Sequence, residues 1–299
     1  NLFQGFAVEP ADGDCSLYLD HIRNNICSAD DELYDYIIHW MADAIQNPSS
    51  RPGVALAIRG QQGVGKGVFV NMFAKLFGPH FIQVTQSNHL VGNFNGHQKD
   101  KLLVFADEAF WAGNKQAEGV LKGLVTEDTL SIEMKGVDVG QFPNFIRLIL
   151  ATNNDWVVPA RAEQRRFVVI DASAARIQDT AYFGAIIHQM ENGGLEALMH
   201  HLLSVDLEGV NLRKIPQTDA LADQKLRSLD SVATWLYGCL DNGGIEETDT
   251  SFTTDFLDWP ASYGTKKMHN AYLGHCKRVG QNHPERDTVF GKSLQKYLP

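Results

Sequence analysis

The sequence predicts an α/β protein built on a parallel sheet covered on both faces. Five short, continuous apolar runs each read as a buried strand, and the stretches between several of them can hold helices. A glycine-rich loop lies between one of these runs and a helical stretch, which places it at the active edge of such a sheet.

From Cys15 to Gln46 the pattern is helical. Tyr18, Ile22 and Ile26, then Leu33, Tyr36, Ile37, Trp40, Met41 and Ile45, recur at three- and four-residue steps, with Ser28-Ala-Asp-Asp as a cap between two helices. Pro48 to Pro52 breaks the pattern. The candidate strands follow as Val54–Ile58, Phe81–Thr85, Leu102–Ala106, Ile146–Ala151 and Phe167–Ile170. Thr129–Met134 and Val137–Phe142 flank Lys135-Gly136 and alternate weakly, which reads as a hairpin with a tight turn. Ala181–Leu203 is helical again, and Ile215-Pro216 marks a boundary. Leu226–Leu240 reads as one amphipathic helix. The remainder is short, aromatic and mildly basic near its end, with Lys266, Lys267, Lys277, Arg278, Lys292 and Lys296.

Composition narrows the classes. The 299 residues are 44% hydrophobic, enough for a sizeable core, yet no run of about 18 apolar residues exists to span a membrane. The formal net charge is −10, which argues against a sequence-independent DNA coat; contact with nucleic acid would need a local basic site. Cys15, Cys27, Cys239 and Cys276 are scattered without metal spacing and read as reduced thiols in a cytoplasmic protein. No signal peptide is expected, and residues 1–5 (Asn-Leu-Phe-Gln-Gly) read as a protease-site remnant, with natural sequence as the alternative.

Gly60-Gln61-Gln62-Gly63-Val64-Gly65-Lys66-Gly67 follows the strand Val54–Ile58 and precedes the helical stretch Val68–Phe77. Glycines let a backbone curl so that N–H groups point at oxyanions, a helix N-terminus adds a favourable dipole, and Lys66 supplies charge to the outer phosphates. Gly67 stands where the usual motif has a magnesium-ligating Ser or Thr. Roughly 40 residues on, Leu102–Ala106 delivers Asp107 and Glu108 to a strand end, as a metal residue and a base that polarises an attacking water. Taken alone, such a pair is often a solvated strand end. Ile146–Ala151 leads to Thr152 and Asn153, which could orient that water, although an Asn turn after a strand is the plain alternative. Arg161, Arg165 and Arg166 precede the last strand; a neighbour's arginine finger and a surface ion-pair cluster are both open readings. A lysine such as Lys135 on a glycine turn is usually just solvated.

The order of Gly60–Lys66, Asp107-Glu108, a hairpin with Lys135, Asn153 and Arg166-Phe167 resembles superfamily 3 helicases of the AAA+ class, above all those of phage and plasmid primase–helicases. The resemblance implies a P-loop NTPase with a five-stranded parallel core at 51–205, a helical N-terminal collar at 1–50 and a mainly helical, winged-helix-like C-terminal domain at 215–299. It also implies a hexameric ring, encoded by a phage or plasmid, that hydrolyses ATP with Mg²⁺ and moves on single-stranded DNA. A primase or polymerase domain in the same full-length chain would accompany it. By position, residues Gly60 to Val68 hold the nucleotide, Asp107 the metal, Glu108 is the base, Asn153 the sensor, Arg166 the trans-acting finger with Arg165 as rival or helper, and Lys135 the DNA-gripping lysine, with Lys122 as an addition.

A nucleotide-dependent assembly or loader ATPase without unwinding, and a small-molecule phosphotransferase, are the competing functions. His188, His200 and His201 have no partners for a metal set, and Phe110, Trp111, Trp156 and Trp259 read as packing residues.

Overall fold

The computed structural model describes residues 3–92, 94–108, 115–154, 165–248 and 254–298. Phe110, Trp111, Trp156 and Arg161 lie outside the described residues. Two compact units divide the chain, Asn1–Lys225 and Leu226–Pro299.

The first unit opens with helix α1 (Ser16–His21), which runs on through a wider turn at Ile22–Ile26, and α2 (Asp31–Gln46). Asp30 caps α2 by accepting from the Leu33 N–H at 3.0 Å. The apolar stripe of α2 is buried as its spacing predicts: Leu33, Tyr36, Ile37, Trp40, Met41 and Ile45 all join the core. Strand β1 (Ala55–Arg59) leads into α3 (Lys66–Lys75), followed by β2 (Phe81–Val84), α4 (Ser87–Val91), β3 (Leu103–Asp107) and α5 (Lys115–Thr126). Then come β4 (Thr129–Met134), β5 (Val137–Pro143), β6 (Arg147–Thr152) and β7 (Phe167–Asp171). Helices α6 (Thr180–Gln189), α7 (Leu195–Ser204) and α8 (Asp219–Arg227) complete this part.

The fold is α/β with a five-stranded sheet in the order β2-β3-β6-β1-β7, every neighbouring pair parallel. Its central strands are the continuous apolar runs, buried on both faces; all six residues of β6 are buried. Strands β4 and β5 pair separately as an antiparallel hairpin, with Met134 opposite Val137 and a register irregularity between Ile132 and Met134. Gly136 takes φ +76° in the two-residue turn, a conformation that favours glycine.

Residues 1–50 fall in one unit with the sheet. Trp40 of α2 donates to the Val54 carbonyl at 3.0 Å and packs by Phe73, so the helices share the sheet's core. The expected boundary at Ile215-Pro216 also moves: Ile215, Ala220 and Leu221 are buried in the first core, because the apolar side of α8 closes over it. The helical stretch Ala181–Leu203 is two helices, interrupted at Met190–Gly194 where Gly193 turns to φ +97°.

The second unit contains α9 (Ser231–Asp241), strands β8 (Gly244–Thr248) and β9 (Thr254–Asp258), α10 (Thr265–Arg278) and α11 (Asp287–Leu294). The predicted helix Leu226–Leu240 is broken, since Asp230 caps α9 by accepting from the Ala233 N–H. Trp235, Tyr272 and Phe290 form an aromatic core with ring centroids 5.0 to 6.2 Å apart. Glu246, almost fully buried, is held by His275 and Arg278 at 2.7 Å each. Trp259 is not a core residue; it is 43% exposed at the end of the hairpin.

Candidate nucleotide site and hairpin

The loop after β1 takes the backbone conformations that its glycines permit. Gly60, Gly63 and Gly65 have φ of +155°, +84° and +95°. At Gly65 a Cβ would stand 2.5 Å from Phe183 Cε1 and 2.6 Å from His21 Cε1, so no other residue fits there without rearrangement. Gln61, Gln62 and Gly63 are exposed, Val64 is buried beneath them, and Gly67 and Val68 form the first turn of α3. The Lys66 ammonium folds back on the loop, donating to the carbonyls of Gly60 and Gln61. Burial holds its pKa below the usual lysine value, and the Glu108 and Asp107 carboxylates partly restore it. The lysine and the carboxylates therefore share one electrostatic site.

Sheet order brings the remaining groups to the same edge. Strand β6 lies between β1 and β3, so the C-terminal ends of three parallel strands are adjacent. Asp107 lies opposite Ala151 in register, and the Glu108 N–H donates to the Ala151 carbonyl at 2.8 Å. Asp107 accepts from Gln83 Nε2 at 3.0 Å, while Glu108 is exposed. Glu108 has φ +53°, a left-handed backbone rare for a non-glycine residue, of the kind that collects at functional sites. Thr152, whose carbonyl accepts from the Gly60 N–H at 3.2 Å, places Asn153 and Asn154 exposed beside the loop.

Arg165 and Arg166 are not brought to this edge. The Arg166 carbonyl accepts from the Ala55 N–H at 2.8 Å, at the start of β1. Five residues of strand then separate it from Gly60, roughly 16 Å at the usual rise. Arg165 is exposed; Arg166 is half-buried, and its Nε has no hydrogen-bond partner among the described residues. The β4–β5 hairpin leaves from that same far end, ahead of β6. Lys135 is exposed at its tip, whereas Lys122 pairs with Glu118 one turn away on α5. Sequence reasoning missed Phe94, which bridges to Glu133 on the hairpin and is 62% exposed. Asn95 next to it donates to the Ser131 carbonyl and accepts from the Glu133 N–H, both at 2.9 Å.

Among the described residues no group of three or more His, Cys, Asp and Glu could hold a metal by itself. The donors still suit magnesium bound with a nucleotide. Asp107 and Glu108 are hard oxygen ligands, and phosphate oxygens and water fill the other positions in such sites. Gly67 offers no hydroxyl to that set. Among the described residues no helix is long and apolar enough to cross a membrane.

The fold and this edge define an α/β protein with a glycine-rich turn, two carboxylates and an amide at the ends of adjacent parallel strands. A family of unknown function, DUF5906, matches residues 58–166. The DNA primase-polymerase of Nitratiruptor phage NrS-1 is 31% identical over 152 residues, which are 47% of this chain and 21% of that protein. The apo structure of the NrS-1 C-terminal region (305–718) superposes with a TM-score of 0.67 at 22% identity, over 81% of this chain and 59% of that one. An A-form apo structure of the same region gives 0.64 at 22% identity. The chain is thus similar to part of a phage replication protein, about a fifth of the curated relative's length.

Proposed function

We propose that this chain is the ATPase motor of a phage or mobile-element replication protein, a P-loop enzyme of the AAA+ class akin to superfamily 3 helicases. The observation that carries this reading is the position of β6 between β1 and β3, which opens Gly60–Gly67, Asp107-Glu108 and Asn153 on one sheet edge. Backbone N–H groups of the loop and Lys66 hold the phosphates of ATP. Asp107 holds Mg²⁺, which when bound neutralises charge on the phosphoryl oxygens. Glu108 orients and polarises the attacking water, and Asn153 positions it. Arg166, with Arg165 beside it, stands too far from its own loop and completes the site of a neighbouring copy in a ring, a hexamer by resemblance. Lys135 concentrates positive charge on single-stranded DNA in the channel, which an acidic chain requires. The similarity to a primase-polymerase supports a role in DNA replication and a polymerising partner domain in the full-length protein.

The test is ATP hydrolysis with and without single-stranded DNA, alongside a forked-duplex unwinding assay. DNA-stimulated hydrolysis with strand separation is expected. Hydrolysis that DNA never stimulates, with no unwinding, would refute the motor. Gly67 favours a second reading, a loader ATPase with weaker metal affinity that assembles on nucleotide without unwinding. Ring formation with an ATP analogue but no unwinding is its signature.

A further inference from the structure

Three consecutive carbonyls of the loop are tied from outside it. The Gln178 N–H donates to the Gly63 carbonyl at 3.0 Å, Asn25 Nδ2 donates to the Val64 carbonyl at 2.6 Å, and His21 Nε2 lies 3.1 Å from the Gly65 carbonyl. A carbonyl only accepts, so His21 carries its proton on Nε2. Its Nδ1 then accepts from the Tyr182 hydroxyl at 3.2 Å. His21 and Asn25 stand one helical turn apart, and both are buried. Burial pushes the His21 pKa down to about 4, so at neutral pH the ring is uncharged and both bonds hold. Gln178 itself sits at φ +55°, a second non-glycine in the left-handed region beside this loop.

A trans peptide holds its C=O antiparallel to the next N–H in one plane. Drawing the carbonyls of Gly63, Val64 and Gly65 back turns the N–H groups of Val64, Gly65 and Lys66 away from these anchors. No acceptor for those three N–H groups is found among the described residues. We infer that His21 and Asn25, with the Gln178 amide, are positioning residues that hold the loop as a preformed nest for the phosphates of a nucleoside triphosphate. The inference rests on the reading of Gly60–Gly67 as a phosphate loop. Neither side chain touches the ligand. Each removes peptide-plane freedom that binding would otherwise have to quench, and preorganisation of that kind appears as affinity.

The experiment measures dissociation constants of inorganic tripolyphosphate and a non-hydrolysable ATP analogue by calorimetry, with the ligand-free melting temperature of each protein. The proteins are the wild-type chain, Lys66→Ala, His21→Leu, His21→Gln and Asn25→Ala. Wild type binds both ligands and Lys66→Ala binds neither. His21→Leu weakens both about five-fold, the worth of one neutral hydrogen bond. His21→Gln, whose Nε2 can still donate to the Gly65 carbonyl, recovers most of the loss although it too lacks the imidazole. A role in stability alone would lower the ligand-free melting temperature of the Leu protein and leave its two dissociation constants at the wild-type values. Equal affinity for wild type and His21→Leu, or equal loss in the Leu and Gln proteins, overturns the inference while leaving the phosphate loop standing. Wild type that binds neither ligand overturns the loop reading itself. If His21→Leu does not fold, Asn25→Ala at least five-fold weaker beside a near-native His21→Gln supports the same conclusion, and Asn25→Ala at wild-type affinity overturns it.

Discussion

Replacing Gly65 by alanine adds one methyl group at the most constrained point of the loop. The added Cβ would meet Phe183 at 2.5 Å and His21 at 2.6 Å, both ring atoms of packed side chains that cannot swing aside cheaply. The backbone at φ +95° also lies in the region that L-residues avoid. The left-handed conformation costs about 1–2 kcal/mol and overpacking about 1–3 kcal/mol. Together they set an expected destabilisation of about 3 kcal/mol. In a unit of this size that lowers the melting temperature by roughly 6–12 °C. Gly67→Ala is the matched control. Its Cβ would find only Asn71 Nδ2, at 3.8 Å, and it lies within α3, so alanine there stabilises by about 0.5–1 kcal/mol. Thermal unfolding followed by far-ultraviolet circular dichroism reads both. A Gly65→Ala protein melting within about 2 °C of wild type would refute the claim that packing behind the loop dictates its residue.

Asp43→Ala should cost about 3–5 kcal/mol in denaturant unfolding, because it strands the buried guanidinium of Arg147, which donates to Asp43 Oδ2 at 2.7 Å. A loss below about 1 kcal/mol would show that the Asp43 and Asn47 carbonyls suffice for that cation. Arg166→Ala should lose steady-state ATP hydrolysis while keeping nucleotide affinity, and mixing it with Glu108→Gln should restore part of the activity; no recovery on mixing argues against a site shared between copies. Lys135→Ala should weaken single-stranded DNA binding at least several-fold and flatten its salt dependence, with ATP affinity unchanged; unaltered DNA affinity removes the hairpin from the interface. For His21 the folded pKa, about 4, lies below the unfolded value of 6.5, so its contribution is complete above pH 6.5 and disappears as pH falls through 4. Up to about 3 kcal/mol of stability goes with it, and His21→Gln should lack that portion of the slope in urea titrations between pH 7 and 4.

The strands were legible because a parallel strand buried on both faces reads as a continuous apolar run, as Ala55–Ile58, Leu103–Ala106, Leu148–Ala151 and Phe167–Ile170 do. The shared edge of Lys66, Asp107, Glu108 and Asn153 followed, since residues just past such strands have one side of the sheet to occupy. Other features depend on partners distant in the chain. His21 and Asn25 lie between the apolar positions of the Cys15–Gln46 helical stretch, and nothing local marks their bonds to carbonyls some 40 residues on. Strand β8 escaped notice because its buried Glu246 breaks apolar alternation, and only the packing of α10 supplies His275 and Arg278 to neutralise it. Trp259 was misplaced for the opposite reason: a large aromatic suggests burial, yet this one follows a hairpin too short to cover it. Phe94 carries no pattern at all; its exposure follows from Asn95 pinning the segment to the hairpin.

Strand β6 is the continuation of the hairpin. The chain passes from β5 through Asn144, which donates to the Leu124 and Glu127 carbonyls at 2.9 Å, into six buried residues, of which Ile149, Leu150 and Ala151 are paired on both sides, and emerges at Asn153. A strand so enclosed can neither stretch nor buckle without breaking two ladders at once. In a close-packed core such a strand shifts as one piece or not at all. In the motor reading proposed above, this strand is the direct covalent link between the hairpin and the loop edge, and Asn144 anchors the chain where the two join.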